Sequence, residues 1–144
     1  YLDHDELWEK KYIDGWYATG DIGYLDDDDF LYITGRNDDA LNVGGKTISP
    51  LEIEEVLSKY ITNEIVVTSI ESPENILVLV AQGDIQFETD WNTLKIKLFE
   101  LLPSICVPKE LYIAELLPKT SNGKVIRSRV LDRVNNQTYR KYND

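Results

Sequence analysis

Two Val- and Ile-rich runs, at residues 64–70 and 75–82, restrict this chain more than any other feature, with Ser72-Pro73-Glu74 lying between them. β-Branched residues at that density favour extended backbone, and Ser-Pro is turn chemistry, so the pattern predicts two neighbouring strands at the centre of a small sheet. Upstream, Ser49-Pro50-Leu51-Glu52 carries a helix start, with Ser49 as N-cap, Pro50 at the first helical position and Glu52 completing a capping box. The helix should cover residues 50–59, with Leu51, Val56, Leu57 and Tyr60 on its buried face and Ile53 and the charges Glu52, Glu54, Glu55 and Lys59 between them. Downstream, Thr89 is placed to cap a second helix through residue 102, where Pro103 ends it; its stripe of Trp91, Leu94, Leu98, Phe99, Leu101 and Leu102 makes Trp91 a core residue. A strand at 111–116, a polar loop at 118–124 and a short helix at 125–134 follow. The order β, α, β, β, α, β, α predicts an α+β domain, a small sheet with helices packed on one face.

Before this domain the chain reads differently. Short β-prone runs at 22–25 and 30–34 flank Asp26 to Asp29, predicting a hairpin; these aspartates lack the spaced ligands, central Gly and terminal Glu of a calcium loop. The polar, acidic stretch at 37–50 is a candidate linker. A length of 144 residues with 42% hydrophobic content accommodates one domain and an appendage.

Charge excludes some functions. With 26 acidic against 15 basic residues the net charge is -11, which repels nucleic acid and anionic bilayers. Residues 1–39 hold twelve acids and three bases, whereas residues 119–133 hold Lys119, Lys124, Arg127, Arg129 and Arg133 against Asp132 alone, a basic end that could meet an anionic ligand. One cysteine, Cys106, rules out an intrachain disulfide, and with a lone His4 it leaves no zinc-ligand set. No run is long enough for a membrane span and the first residues show no signal pattern, so the expected setting is cytoplasmic.

Three loops are candidates for chemistry. Residues 15–21 bracket an aromatic pair with two glycines and present Asp21, a carboxylate suited to the hydroxyls of a ribose. Gly44-Gly45 would let backbone approach a narrow ligand. In Leu117-Pro118-Lys119-Thr120-Ser121-Asn122-Gly123-Lys124, an Asn-Gly turn projects Lys124. Each alone is an ordinary turn or a solvated lysine. Their order is not ordinary. Tyr17-Ala18-Thr19-Gly20-Asp21-Ile22-Gly23, Gly35-Arg36-Asn37-Asp38-Asp39, Gly44-Gly45 with Ile48-Ser49-Pro50-Leu51-Glu52-Ile53-Glu54, and Leu117-Pro118-Lys119-Thr120 with Asn122-Gly123-Lys124-Val125-Ile126-Arg127 together closely resemble the adenylate-forming superfamily. That superfamily includes acyl-CoA synthetases, adenylation domains of peptide synthetases and luciferases, and the resemblance runs from Gly15 to about Val134.

The resemblance implies the carboxy-terminal portion of an AMP-forming acid-thiol ligase. Asp21 matches the ribose-binding aspartate, Arg36 the arginine near the nucleotide, Asp38 the hinge about which the small domain swings, and Lys124 the lysine joining the substrate carboxylate to the nucleotide. Gly45, with Gly44 beside it, matches the glycine where the pantetheine arm of CoA enters. Residues 1–37 would be the end, with its hairpin, of a large AMP-binding domain, 38–134 the mobile domain and 135–144 a polar tail. ATP, Mg²⁺, CoA and a carboxylic acid are implied as substrates and cofactor of the complete enzyme, with none held tightly by this chain, and the large amino-terminal domain as its partner. Two departures stand out: Asp28-Asp29 replaces the usual Asp-Gly turn, and Lys46-Thr47 replaces a pair that often ends in arginine. No Ser/Thr/Gly-rich phosphate loop and no acyl pocket are present, so the chain alone is expected to form no acyl-adenylate. An adenylation domain that loads a carrier protein, and a non-catalytic interaction module of the same fold, are the alternatives.

Overall fold

A computed structural model of the chain describes residues 11–71, 74–85 and 90–143. Three small hairpins precede the main sheet: β1 (Tyr12–Ile13) with β2 (Trp16–Tyr17), β3 (Asp21–Leu25) with β4 (Leu31–Arg36), and β5 (Leu41–Val43) with β6 (Lys46–Ile48). The expected β3–β4 hairpin is present, and its turn is built from the aspartates themselves. Asp26 Oδ1 accepts the amides of Asp28 and Phe30 at 3.0 and 2.9 Å, and Asp29 takes a left-handed φ of +64°.

The candidate linker is corrected in part. After a single 3₁₀ turn at Asn37–Asp39 the chain forms the β5–β6 hairpin, in which Val43 and Ile48 are buried. Gly44 and Gly45 are its turn, both with positive φ (+55° and +74°), the geometry that a two-residue hairpin connection matching strand twist requires.

Helix α1 (Pro50–Leu57) starts where expected, but the capping box does not form. The Ser49 hydroxyl instead donates to the Thr34 carbonyl at 2.6 Å, tying β4 to the start of the helix. This closeness requires Gly35, because a Cβ there would lie 2.6 Å from Ser49 Oγ. Gly35→Ala should therefore lower stability by about 1–3 kcal/mol, as overpacking does, with partial recovery in the Ser49→Ala double variant when both are unfolded in urea. On α1 the fully buried positions are Ile53 and Leu57, and Leu51 stays exposed.

The central sheet has four strands in the order β10-β9-β8-β7: β7 (Ile65–Ile70), β8 (Ile76–Gln82), β9 (Glu110–Ala114) and β10 (Arg140–Lys141). β8 runs antiparallel to β7 and parallel to β9. Of the connecting Ser72-Pro73-Glu74, Ser72 and Pro73 lie outside the described residues. Helix α2 (Trp91–Leu101) buries Trp91, Leu94 and Leu98, so Trp91 is core as expected. Its N-cap is Asp90, whose carboxylate accepts the Thr93 amide at 2.9 Å; Thr89 lies outside the described residues. Within residues 135–143, Tyr139 is buried and β10 pairs with the outer edge of β9.

The small α+β fold is as expected, and its layering is corrected in one respect. α1 and α2 pack on one face of the sheet with Val67, Leu77, Leu79 and Leu111, whereas α3 (Arg127–Asn135) covers the other with Val130 and Val134 against Val66, Val78 and Val80. Helices therefore lie on both faces. β8 is apolar without alternation from Ile76 to Ala81, and such a strand is stable only when both its faces are covered.

On β9 the Tyr112 phenol donates to Glu110 Oε2 at 2.7 Å. Burial first, and then the Glu110 carboxylate, push Tyr112 up to about 12 from its ordinary value of 10.0. A folded value above the unfolded one means a contribution present below about pH 10 and lost as pH rises towards 12. Ultraviolet titration of phenolate should accordingly show one of the nine tyrosines ionising late, in step with alkaline loss of structure.

Candidate functional site

Asp21 opens β3 and Arg36 closes β4, and the hairpin register places them directly opposite each other. An Arg36 guanidinium nitrogen lies 3.3 Å from Asp21 Oδ1, and Nη2 donates to the Thr19 carbonyl at 3.2 Å. The loop before β3 is bound to the turn after β4 by the Asn37 amide donating to the Gly20 carbonyl at 2.8 Å. Gly20 has a φ of +82°, and a Cβ there would stand 3.5 Å from Arg36 Nη2 and 3.7 Å from Asp38 Oδ2. The glycine-rich approach to Asp21 and the acidic turn at 37–39 are thus one local structure.

The lysine loop is a closed turn. Thr120 and Gly123 amides donate to the Lys124 and Thr120 carbonyls at 2.8 and 3.0 Å, and the Lys124 amide donates to Thr120 Oγ1 at 3.2 Å. At its base Lys119 bridges Val125, and the Ile126 amide reaches the Pro118 carbonyl at 2.8 Å. Gly123, with a φ of +82°, supplies the left-handed position that the reversal needs. Lys124 is exposed at the tip and makes no ion pair among the described residues.

These two structures meet. An open cleft of about 580 Å³ is lined by Arg36, Asp38, Asp39, Thr68, Lys124 and Arg127 among others, bringing three of the predicted site residues to one place. Asp21 touches this cleft through Arg36 and is absent from its lining. Gly44 and Gly45 do not join them; they line a separate cleft of about 670 Å³ with Asn42, Asn75, Ile105 and Lys109. A Cβ on Gly44 would come within 2.9 Å of Ile105 Cδ1, whereas Gly45 faces open space. The first cleft sets the cations Arg36, Lys124 and Arg127 beside the carboxylates Asp38 and Asp39; the second presents the backbone of two glycines.

One residue of the first cleft, Arg127, entered the sequence reading only as part of the basic end and of the lysine motif, with no partner assigned. Arg127 opens α3, and its Nη1 and Nη2 meet Glu54 Oε1 and Oε2 of α1 at 2.5 and 2.8 Å. Nη1 also donates to the Val67 carbonyl at 2.9 Å, and the Val67 amide donates to Glu54 Oε1 at 2.7 Å. Asp39 Oδ1 stands 4.0 Å from Nε. Burial opposes the charge on Arg127, but Glu54 and then Asp39 more than offset it and hold the guanidinium above its ordinary value. Seventy-three residues separate the partners, and no periodicity or spacing links them. Among the described residues, no three His, Cys, Asp or Glu side chains are arranged to hold a metal ion.

No family model matches the chain. Individual relatives do. It is 36% identical over 135 residues to a 2-succinylbenzoate--CoA ligase of Listeria monocytogenes, covering 92% of this chain and 29% of the relative, and 33% identical to an oxalate--CoA ligase of Arabidopsis thaliana, covering 88% and 25%. The chain thus spans under a third of the length of these curated relatives. Among solved structures, O-succinylbenzoate coenzyme A synthetase of Bacillus subtilis in complex with AMP matches with a TM-score of 0.80 and 26% identity over 90% of this chain and 27% of that one. The same enzyme in complex with ATP and magnesium ion also matches at 0.80, with 27% identity over 92% of this chain and 27% of that one. In sequence and in fold, this chain belongs to the adenylate-forming superfamily and corresponds to the carboxy-terminal portion of its CoA ligases.

Proposed function

We propose that the chain is the switching portion of an ATP-dependent acyl-CoA ligase, which joins a carboxylic acid to AMP and then passes the acyl group to CoA. The observation that carries this reading is the meeting of Lys124, Arg36 and Asp38 in one cleft while Gly44-Gly45 line another. In the first half-reaction a carboxylate oxygen bonds to the α-phosphorus of ATP and pyrophosphate leaves. Two anions approach and charge builds on phosphorus, so the Lys124 ammonium, which makes no ion pair among the described residues, is placed to neutralise it. Arg36 and Asp21 would hold the nucleotide, Arg36 through its guanidinium face in the cleft and Asp21 through the ribose hydroxyls after parting from Arg36. Mg²⁺ would travel with the nucleotide, since among the described residues the cleft's carboxylates, Asp38 and Asp39, do not form a metal-binding set with a third.

In the second half-reaction the CoA thiol sulfur bonds to the acyl carbon and AMP leaves. The glycine cleft serves that step, because only backbone without side chains admits a thin pantetheine arm. The two clefts can face one acyl carbon only in turn, so the domain from residue 38 onward rotates about Asp38, a residue in a short 3₁₀ turn and able to absorb a backbone change. The exposed face of the β3–β4 hairpin, including Tyr24, Leu25, Phe30 and Leu31, is where the large amino-terminal domain would sit.

The full-length enzyme tests this with 2-succinylbenzoate and oxalate as the first acids, CoA and a phosphopantetheinylated carrier protein being offered separately. Acyl-CoA formation is the expected product. Transfer to the carrier alone would favour the carrier-loading reading. The isolated 144-residue chain should release no pyrophosphate.

A further inference from the structure

The proposed role of Lys124 raises the question of what holds its loop in place. The turn is closed on itself, so its tip is only as well placed as its two arms. The entering arm is anchored at its base, where Leu117 and Pro118 are buried, the Leu117 amide donates to Gln82 Oε1 at 2.8 Å and Arg133 donates to the Leu116 carbonyl at 3.1 Å; nearer the turn its side-chain tie is the exposed pair Lys119 to Glu64 at 2.7 Å, with 35 and 37% of the side chains accessible. Exposed pairs of that kind add little. The leaving arm runs straight into Arg127, three residues after Lys124 and only 21% exposed, against 14% for Glu54.

The place where Arg127 binds is the edge of the sheet. β7 is the last strand, with β8 on one side only, so the amide and carbonyl of Val67 face outward without a strand partner. Glu54 accepts that amide and Arg127 donates to that carbonyl, while the two side chains join in a two-pronged ion pair. The pair takes the place of one residue of a missing fifth strand, which also blunts the edge. Because a guanidinium offers donors in a rigid planar fork, this arrangement sets direction as well as distance.

We propose that Arg127 is the positioning residue for Lys124: docked through Glu54 onto the open edge of β7 at Val67, it fixes the lysine loop in register with the sheet. The proposal rests on the ligase reading for its purpose, but not for its test. The Nε contact to Asp39, at 4.0 Å, sets this unit beside the residue that follows the proposed hinge, Asp38.

Amide hydrogen exchange on the 144-residue chain needs no acyl substrate. Arg127→Lys keeps the charge without the fork, Arg127→Gln removes the charge, and Leu94→Ala on α2 is a core variant away from the loop. Both Arg127 variants should speed exchange at Thr120, Gly123 and Lys124 by about tenfold or more, the scale of losing a hydrogen bond to a charged group, and leave β8 protected. Unchanged loop exchange in Arg127→Gln, or the same loop-selective pattern in Leu94→Ala, overturns the proposal. In the full-length enzyme, with 2-succinylbenzoate as probe acid, Arg127→Lys should lower kcat for pyrophosphate exchange, leaving KM for ATP and transfer from preformed acyl-adenylate to CoA unchanged. Equal loss in both half-reactions would make Arg127 merely structural and also sink the idea. Should the wild-type enzyme adenylate no acid, the ligase reading fails by itself and the exchange data still decide whether Arg127 holds the loop.

Discussion

Lys124→Ala in the full-length enzyme is expected to cut acyl-adenylate formation by about 10²- to 10³-fold, the usual loss when one preorganised electrostatic contact to a developing charge is removed. The expectation follows from its position. Lys124 stands exposed at the tip of a self-closed turn, shares its cleft with Arg36 and Asp38, and has no carboxylate neutralising it among the described residues. An ammonium so placed contributes little to the fold, so the variant's urea midpoint should match that of the wild type. Transfer from a supplied acyl-adenylate to CoA should also survive, because the lysine loop and the Gly44-Gly45 turn line different clefts. Pyrophosphate exchange and thioester formation, measured separately, check both statements. Equal loss in the two would mean that Lys124 acts on the domain as a whole, and an unaltered rate of adenylation would favour the non-catalytic module.

The second large effect is on stability. Glu54→Ala should destabilise the chain by about 3 kcal/mol, the low end for breaking a buried ion pair, because the partners retain 21 and 14% exposure and water screens part of the loss. The deletion strands two groups at once: the Arg127 guanidinium, already costly to bury, loses its main counter-charge, and the Val67 amide loses its acceptor. Glu54→Gln should cost less, since an amide oxygen can still accept from Val67 or Arg127. Urea unfolding of the three proteins checks the order, and a fall in midpoint without a change in slope would show that the native state carries the effect. If Glu54→Ala unfolds at the wild-type midpoint, the pair does not secure α1, β7 and α3 to one another.

Much of the site was legible because its signals are local. Glycines at the turns and the Asn-Gly reversal before Lys124 follow from backbone demands within a few residues, whereas Asp21, Arg36, Asp38 and Lys124 were singled out by the ordered motifs that resemble the superfamily. Where the reading departed from the structure, a nearby group outbid the local rule. Ser49 has the right chemistry for a cap, yet the Thr34 carbonyl comes within 2.6 Å and takes its hydroxyl. The acidic linker contained a hairpin because Val43 and Ile48 could reach the core, something composition does not record. The element order was read as helices on one face, whereas β8, apolar from Ile76 to Ala81, is covered on both.

What the sequence by itself determined is the order of the three helices and the strands β3, β4, β7, β8 and β9, the superfamily and which side chains are available for chemistry, since helix starts, strand propensity and motif spacing are properties of neighbouring residues. Tertiary structure alone decided that α3 crosses to the far face, that Lys124 and Arg36 share a cleft which Gly45 does not enter, and that Glu54 and Arg127 close the edge of β7. Those outcomes depend on which surfaces can be buried together and which polar groups must then find partners. That balance is struck between residues far apart in the chain, and no local pattern encodes it.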